Sequence, residues 1–309
     1  RLKNGGVLAA VNDTTIKCAP KGAINQLGEC LTRIIHAFAK THTDTKIFMA
    51  KWDIKDGFWR LDCQEGEEWN FAYVLPQPPG APIKLVVPTS LQMGWVESPP
   101  YFCAALETAR DIAMDYANTK VGSIPPHKFT HYTQGDNDAE HLPGGGTEHR
   151  PSGFRYNVEV YVDDFMCIVI PTSKAQLEHV ANAIMTGIHD VFPPEDTVAD
   201  DPISERKLLK GEAEWANVKE LLGMTFDGEA KTIWLATEKR DKIISTLRQW
   251  IRLSKRHGGV PFNEFQSVLS KLQHAFLTIP AGRGLLSPFY SVLGVRPRFV
   301  FLHRNPALL

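Results

Sequence analysis

Residues 158–170 read VEVYVDDFMCIVI, and this stretch decides the expected fold. Apolar residues on both sides of Asp163-Asp164 predict a strand, a tight turn and a second strand, with two acids at the middle. Charged groups inside an apolar hairpin are costly unless they are paired or bound to a metal ion. An Asp-Asp pair taken alone is most often only a turn, so a site needs a second observation.

A second acid ends another apolar run. Residues 46–53 read KIFMAKWD, which is typical of a buried strand that delivers Asp53 to a site. If this strand neighbours the hairpin in one sheet, Asp53 and Asp163 face each other across it. Oxygen ligands with no histidine or cysteine nearby favour Mg²⁺ or Mn²⁺ over zinc. Two such ions about 3.5–4 Å apart activate an attacking hydroxyl and stabilise a leaving oxygen in phosphoryl transfer.

The composition bounds the class of protein. The chain has 309 residues and a net charge of −1, which predicts two or three packed subdomains. No apolar run reaches membrane-spanning length, so no membrane partner is expected. The five scattered cysteines are typical of reduced thiols in an intracellular protein of the cytoplasm or nucleus. Because the chain begins with Arg1 rather than Met, we expect a piece of a longer polypeptide.

The first half of the chain mixes strand and helix signals. Strands around 59–61 and 71–75 are expected to form a hairpin, followed by a strand around 83–87. Ser98, with two prolines after it, is expected to begin and cap a helix. Residues 121–155 lack periodicity and predict a flexible surface insertion. Four histidines in it offer a possible metal site, against which a flexible tip is favoured because no tetrahedral ligand set is apparent: His127, His131, His141 and His149.

The second half is mostly helical. Asp227-Gly228 between two apolar stretches predicts a hairpin, and helices are expected from residue 237 onward. Basic residues crowd the first of these helices: Lys239, Arg240, Lys242, Arg248, Arg252, Lys255 and Arg256. Local positive charge is enough for a nucleic-acid groove, although a solvated helix face is the alternative.

Three motifs resemble those of reverse transcriptases and occur in the same order. Residues 53–58 (DIKDGF) resemble the first motif, residues 91–99 (LQMGWVESP) resemble the second, and Tyr161-Val162-Asp163-Asp164 resembles the signature tetrapeptide. The resemblance covers about residues 45–120 and 156–290. It is closer to retrotransposon and retroviral polymerases than to telomerases.

The resemblance implies an α+β right-hand polymerase, with an antiparallel palm sheet backed by helices, partial fingers and a helical thumb. The implied subdomains are partial fingers at 1–45 and 60–92, palm at 46–59 and 93–235 with the insertion 121–155, thumb at 236–295, and the start of a connection segment at 296–309.

By resemblance, Asp53, Asp163 and Asp164 are the catalytic acids. They would hold two Mg²⁺ or Mn²⁺ ions, assisted by the Ile54 carbonyl. A lysine, either Lys207 or Lys210, would protonate the leaving pyrophosphate, and the spacing leaves that choice open.

The resemblance also implies contacts to the incoming nucleotide from Asp56, Gly57, Phe58, Met93 and Gly94. The Phe58 ring would lie under the sugar and exclude a 2′-hydroxyl, which selects deoxynucleotides; an ordinary core aromatic is the alternative. Gly94 lets the backbone approach template or nucleotide closely. Met93 departs from many retroviral enzymes, which carry glutamine there, so one polar contact to the sugar is missing.

Contacts to primer and template are implied for Tyr161, Leu222, Gly223, Gln266, Ser270 and His274. The last three are spaced four apart, so they share one helix face, and an ordinary polar face is the alternative. Only 52 residues precede Asp53, which is too few for complete fingers.

The implied function is RNA-directed DNA polymerase, a nucleotidyltransferase that adds dNTPs to a primer 3′-hydroxyl. Expected partners are an RNA or DNA template–primer duplex, dNTPs, and RNase H and other polyprotein domains of a retroelement. Two alternatives stay open. One is a decayed or domesticated domain that binds nucleic acid without catalysis, and the other is an RNA-dependent RNA polymerase, which Phe58 and the Tyr-x-Asp-Asp form disfavour.

Overall fold

The computed structural model describes residues 11–15, 17–41, 45–135, 155–194 and 200–308. They form a mixed α/β protein with several small antiparallel sheets. The chain divides into two compact units, and the division after Asn217 lies inside the stretch that the resemblance assigns to the palm. Unit 1 comprises Arg1–Ala37 and Asp44–Asn217, and unit 2 comprises Phe38–Thr43 and Val218–Leu309.

Unit 1 is built around one three-stranded sheet. Its helices and strands are α1 Val11–Thr14, α2 Lys21–Leu27, α3 Cys30–Ala39 (which continues into unit 2), β1 Phe48–Asp53, β2 Tyr73–Val74, β3 Leu85–Val86, α4 Ser98–Ala117, β4 Arg155–Tyr161, β5 Asp164–Ile170, α5 Lys174–Val191 and α6 Glu205–Leu208. The central sheet has the order β1-β5-β4, and both pairings are antiparallel.

The core of unit 1 lies between this sheet and helices α4 and α5. Trp52 of β1 and Phe165 of β5 are fully buried and pack in the same cluster as Phe102 of α4. The two helices approach so closely that a Cβ at Gly187 would lie 2.8 Å from the Ala113 nitrogen, so a side chain at this position would push them apart.

The hairpin predicted at 158–170 is confirmed. Strands β4 and β5 are joined by the two-residue turn Val162-Asp163, with Tyr161 paired to Asp164. Val162 has a φ of +53°, which a β-branched residue rarely adopts. Backbone strain of this kind persists only where the surrounding structure imposes it, and it is common at functional sites.

Other local predictions need correction. Residues Gly57–Arg60 form a 3₁₀ helix, and β2 pairs with β3, so the predicted hairpin of 59–61 with 71–75 is wrong. The segment after that helix pairs elsewhere, since the Leu91 N–H donates to the Leu61 carbonyl. Helix α4 does begin at Ser98, but the Ser98 hydroxyl donates to the Gln92 carbonyl instead of capping the helix.

Part of the predicted insertion is also packed. Within residues 121–135, Ile124, Phe129 and Thr133 are buried, so this part departs from the expected flexible surface segment. The sequence pattern misses it because the buried positions follow neither helix nor strand periodicity.

Unit 2 combines a second small sheet with helices. Its elements are β6 Val218–Leu221, β7 Met224–Asp227, β8 Thr232–Leu235, α7 Thr237–Lys255, β9 Val260–Pro261, α8 Phe262–Ala275, α9 Ser287–Val295 and β10 Phe299–Val300. The sheet order is β6-β7-β8, which confirms the hairpin predicted around Asp227-Gly228. A separate core joins the helices, with Trp250 stacked on Phe265.

Two further findings concern the whole described part of the chain. All five cysteines lie within it and are free. Over the same residues, none of the helices combines the length and apolar character that crossing a bilayer requires.

Candidate active site

The end of β1 meets the turn between β4 and β5. Asp53 stands opposite Asp164 in the register of the sheet, and the Ile54 N–H donates to the Asp163 carbonyl at 2.7 Å. The structure therefore brings the three predicted acids to one end of one sheet. The residue directly across from Asp53 is Asp164, because the two-residue turn places Asp163 just beyond the last pair of the ladder.

A second segment fixes the end of β1 from the other side. The Ser204 N–H donates to the Asp53 carbonyl at 2.9 Å, and the Lys55 N–H donates to the Pro202 carbonyl at 2.7 Å. Ile54 is buried and forms an isolated β-bridge with Ile203. These bonds place α6, which follows directly, beside Asp53.

Two lysines and a glutamate surround the acids. The Lys207 Nζ lies 3.7 Å from Asp53 Oδ1, and the Lys51 Nζ lies 3.5 Å from Asp164 Oδ1. Glu212 binds both lysines, at 2.8 Å from Lys51 and 3.3 Å from Lys207. We call this group the carboxylate cluster: Lys51, Asp53, Asp163, Asp164, Lys207 and Glu212.

Negative charge exceeds positive charge in the carboxylate cluster, which has four acids and two lysines. Burial raises the pKa of Asp53, with Asp163 and Asp164 adding to the rise and Lys207 opposing it. Burial likewise raises the pKa of Asp164, against the opposing charge of Lys51. Burial acts in the same direction on Glu212, but its two lysines hold the pKa of that carboxyl below the ordinary value. The uncompensated charge is therefore concentrated on the aspartates.

The acids fit a divalent metal ion by chemistry and charge. The donors are oxygens, which Mg²⁺ and Mn²⁺ prefer, and the excess of two negative charges attracts divalent cations. Within the ranges that the structure describes, however, no three His, Cys, Asp or Glu side chains converge into a metal-binding group. Lys207 lies beside Asp53 and Lys51 lies beside Asp164, while Asp163 is exposed to solvent.

The residues after Asp53 follow a tight turn. Asp56 is exposed and has a φ of +58°, and it precedes the 3₁₀ helix that carries Gly57 and Phe58. A Cβ at Gly57 would overlap the Phe102 ring, so this position requires glycine. The Phe58 ring is partly buried and meets Phe102 edge-on, with 5.2 Å between ring centroids. Phe58 therefore packs against the core, as expected if it is an ordinary core aromatic.

The second motif lies next to the segment that follows Phe58. The Cys63 N–H donates to the Thr89 carbonyl at 2.7 Å, and Asp62 bridges Ser90. Beyond this pairing, Met93 is 71% exposed and Gly94 has a φ of +95° with open space where a Cβ would stand. Gly94 thus offers backbone that a ligand can approach.

The two lysines left open by the sequence, Lys207 and Lys210, occupy different positions. Lys207 belongs to the carboxylate cluster, whereas Lys210 is exposed after the end of α6. Tyr161, at the end of β4, is 39% exposed.

Most of the predicted primer and template residues lie in unit 2, and several of them come together there. Leu222 and Gly223 form the turn between β6 and β7, with φ values of +49° and +79°. A Cβ at Gly223 would lie 2.9 Å from the Lys239 Nζ and 3.5 Å from the His274 Nε2. Ser270 and His274 line a cavity of about 600 Å³ between α7 and α8, together with Lys239 and others. Gln266 is an exposed residue one turn earlier on α8.

Sequence reasoning missed two members of the carboxylate cluster. Lys51 could have been predicted, because a period of two along β1 places it on the same face as Asp53. No local sequence pattern indicates Glu212. It reaches the lysines because the chain returns alongside β1, where the Lys51 N–H donates to the Glu212 carbonyl at 3.0 Å.

Unit 1 contains a second polar cluster, whose residues lie outside the three sequence motifs. The Phe129 N–H donates to His127 Nδ1, so His127 Nε2 carries the proton and donates to His189 Nδ1 at 3.0 Å. His189 Nε2 then donates to Asp201 Oδ1 at 3.1 Å, and Lys128 lies 2.5 Å from Asp201 Oδ2. We call these four residues the histidine–aspartate chain. Its members come from three separate stretches of the chain, so no local pattern indicates it.

Each member of the histidine–aspartate chain has a hydrogen-bond or ion-pair partner within it. Burial lowers the pKa of His127 to about 4, with His189 adding to the effect. Burial alone would raise the pKa of Asp201, but hydrogen bonds from His189, Lys128 and the Ile203 N–H lower it to about 2. His131 contacts Tyr132 instead, while His141 and His149 lie outside the described residues.

A comparison with solved structures finds a distant similarity. No protein-family model matches the chain, and no curated protein matches it. The chain is similar to a solved structure of the foamy viral protease-reverse transcriptase dRH in complex with double-stranded DNA, at 17% identity and a TM-score of 0.48. The match covers 96% of this chain and 38% of that chain. A similarity at this level establishes no common activity, so function has to be argued from the residues of the site.

Proposed function

We propose that the chain is the polymerase region of a reverse transcriptase that adds deoxynucleotides to a primer 3′-hydroxyl. The observation that carries this function is the carboxylate cluster: Asp53 stands opposite Asp164 beside a strained turn at Asp163, with more negative than positive charge. Structural ion pairs are normally balanced. Partly buried carboxylates with raised pKa values are candidates for a functional site.

The three aspartates share one role in this proposal, and Lys207 has another. Asp53, Asp163 and Asp164 would hold two Mg²⁺ or Mn²⁺ ions, with the Ile54 carbonyl assisting. When bound, such ions supply charge for activating the attacking hydroxyl and for stabilising the leaving oxygen. Rigid backbone anchors on both sides of β1 keep Asp53 in place, which is what electrostatic stabilisation of a transition state requires. Lys207, rather than Lys210, would give a proton to the leaving pyrophosphate.

Selection of deoxynucleotides would rest on Phe58. Its ring is held edge-on against Phe102, so it cannot easily move aside for a 2′-hydroxyl. Gly94 has a φ accessible mainly to glycine, and the space where a Cβ would stand is open. Both features suit a close approach by the nucleotide or template. Asp56, Gly57 and Met93 would complete the nucleotide site.

Unit 2 would hold the template–primer duplex. All seven basic residues named on and after α7 are exposed, and phosphate binding needs such local positive charge. The Leu222-Gly223 turn would contact the primer, and Gln266, Ser270 and His274 would face the duplex. In this proposal unit 1 contributes the partial fingers and most of the palm, and unit 2 contributes the end of the palm, residues 218–235, and the thumb.

Primer extension on an RNA template tests this function. Purified chain is given a primed RNA template and either dNTPs or rNTPs. We expect extension with dNTPs and little with rNTPs. Efficient rNTP incorporation would identify an RNA polymerase, and no extension with either would reject the catalytic proposal.

A second candidate is a related domain that binds nucleic acid without catalysis. It is favoured by one observation, that Lys51 and Lys207 already pair with Asp164 and Asp53. Duplex binding measured beside extension separates the two candidates, because this candidate predicts binding without extension.

A further inference from the structure

The two lysines of the carboxylate cluster occupy positions that a cation would take. The Lys207 ammonium lies 3.7 Å from Asp53 and the Lys51 ammonium lies 3.5 Å from Asp164. Both lysine side chains are partly buried, at 27% and 18% exposure, so solvent screens them less than surface lysines. Each therefore stabilises an aspartate that would otherwise carry uncompensated charge.

Glu212 gives both lysines a second partner. One carboxylate oxygen lies 2.8 Å from Lys51, and the other lies 3.3 Å from Lys207. The contacts to Glu212 are the shorter ones for both lysines. An ammonium group that leaves its aspartate therefore keeps an ion pair.

We propose that Lys51 and Lys207 are built-in counter-cations that compete with divalent metal ions for Asp164 and Asp53, while Glu212 retains both ammonium groups when they release the aspartates. This inference rests on the proposed function, since it concerns the same acids. It assigns roles to Lys51 and Glu212 that lie outside the three sequence motifs.

The competition has a definite sign. A metal ion that enters must break two lysine–aspartate contacts and is repelled by two ammonium charges. Removing either lysine charge should therefore tighten metal binding. Removing the Glu212 charge should weaken it, because the lysines then have the aspartates as their remaining partners in the carboxylate cluster.

Binding of Mn²⁺ alone tests this inference without requiring catalysis. Free Mn²⁺ is measured by electron paramagnetic resonance during titration of the full chain. For Lys51→Met and Lys207→Met we expect Mn²⁺ binding about three- to tenfold tighter than in the unchanged chain. For Glu212→Gln we expect it to be weaker by a similar factor. Lys51→Arg keeps the charge and should stay near the unchanged chain.

Matched controls separate the cluster from a general charge effect. Lys210→Met removes a lysine three residues from Lys207, and Glu214→Gln removes an exposed acid two residues from Glu212. Both should change Mn²⁺ affinity less than the cluster variants do. Thermal unfolding of each variant checks that it folds. If a lysine variant fails to fold, Glu212→Gln still tests the inference.

The outcomes distinguish this inference from the proposed function. Equal Mn²⁺ affinities for Lys51→Met, Lys207→Met and Lys210→Met, with clear binding by the unchanged chain, would overturn the competition alone. Absence of Mn²⁺ binding by the unchanged chain, together with absence of extension, would overturn both.

Discussion

The carboxylate cluster and the histidine–aspartate chain are two polar groups inside the same unit, and the pKa values of Asp53 and Asp164 are shifted in the opposite direction to that of Asp201. In the histidine–aspartate chain, Asp201 receives hydrogen bonds or an ion pair from His189, Lys128 and a backbone N–H, and its pKa falls to about 2. In the carboxylate cluster, burial and neighbouring acids raise the pKa of Asp53 and of Asp164.

The pairing of an acid, rather than its burial, distinguishes structural from functional charge in these two groups. Desolvation acts on the acids of both groups, so burial alone does not distinguish them. The number of donors does, because a fully paired acid stabilises the fold while an underpaired acid is costly unless a ligand compensates it. This criterion supports the proposal that the carboxylate cluster binds a cation.

Replacing Asp53 should give the largest effect. In Asp53→Asn, primer extension should fall about a thousandfold, because a residue proposed to hold both metal ions is lost. The free energy of unfolding should rise, since an acid whose pKa is raised in the fold is destabilising in its ionised form. Urea denaturation at pH 7 measures the second effect. A large loss of stability would place Asp53 with the structural acids.

Replacing Asp201 should have the opposite consequence for stability. Asp201→Asn leaves His189 and Lys128 without their carboxylate and should lower the free energy of unfolding by about 3 kcal/mol. Asp200→Asn alters the neighbouring exposed acid and serves as the control. Equal stabilities of the two variants in urea would contradict the contrast drawn between the two groups.

His127 should make stability depend on pH. Its pKa is lowered from 6.5 to about 4, so between these values the unfolded chain binds a proton that the folded chain does not. Stability should therefore fall as pH drops from 6.5 to 4, by about 3 kcal/mol from this residue. His127→Gln should flatten the curve in that window. An unchanged slope in urea denaturation across the window would refute the assignment.

Phe58 should give the smallest of these effects. In Phe58→Val, the preference for dNTPs over rNTPs should fall about tenfold, because a smaller side chain leaves room for a 2′-hydroxyl. Phe58→Tyr keeps the ring and should keep the preference. If Phe58→Val loses stability but not selectivity, the ring serves only to pack against Phe102.

Much of the site was predictable because its signals are local. The strand–turn–strand at 158–170 and the acid that ends residues 46–53 follow from hydrophobic periodicity, and the sheet then brings both together. The same periodicity also places Lys51 on the strand face that carries Asp53.

The parts of the fold and site that were not predicted depend on contacts between residues far apart in the sequence. Glu212 meets Lys51 across 161 residues, and His127 meets His189 across 62. The hairpin expected at 59–75 failed for the same reason, since residues 61–63 pair with 89–91 instead of with their neighbours. Local pattern does not specify such partners.

The most direct measurement of the central claim is Mg²⁺-dependent incorporation of dTTP on an oligo(dT)-primed poly(rA) template. The unchanged chain is compared with Asp163→Asn and with Asp115→Asn, which alters an exposed acid on α4. We expect incorporation by the unchanged chain and by Asp115→Asn in Mg²⁺, none after chelation, and none by a folded Asp163→Asn. Undiminished incorporation by Asp163→Asn would contradict the assignment of the carboxylate cluster as the catalytic site.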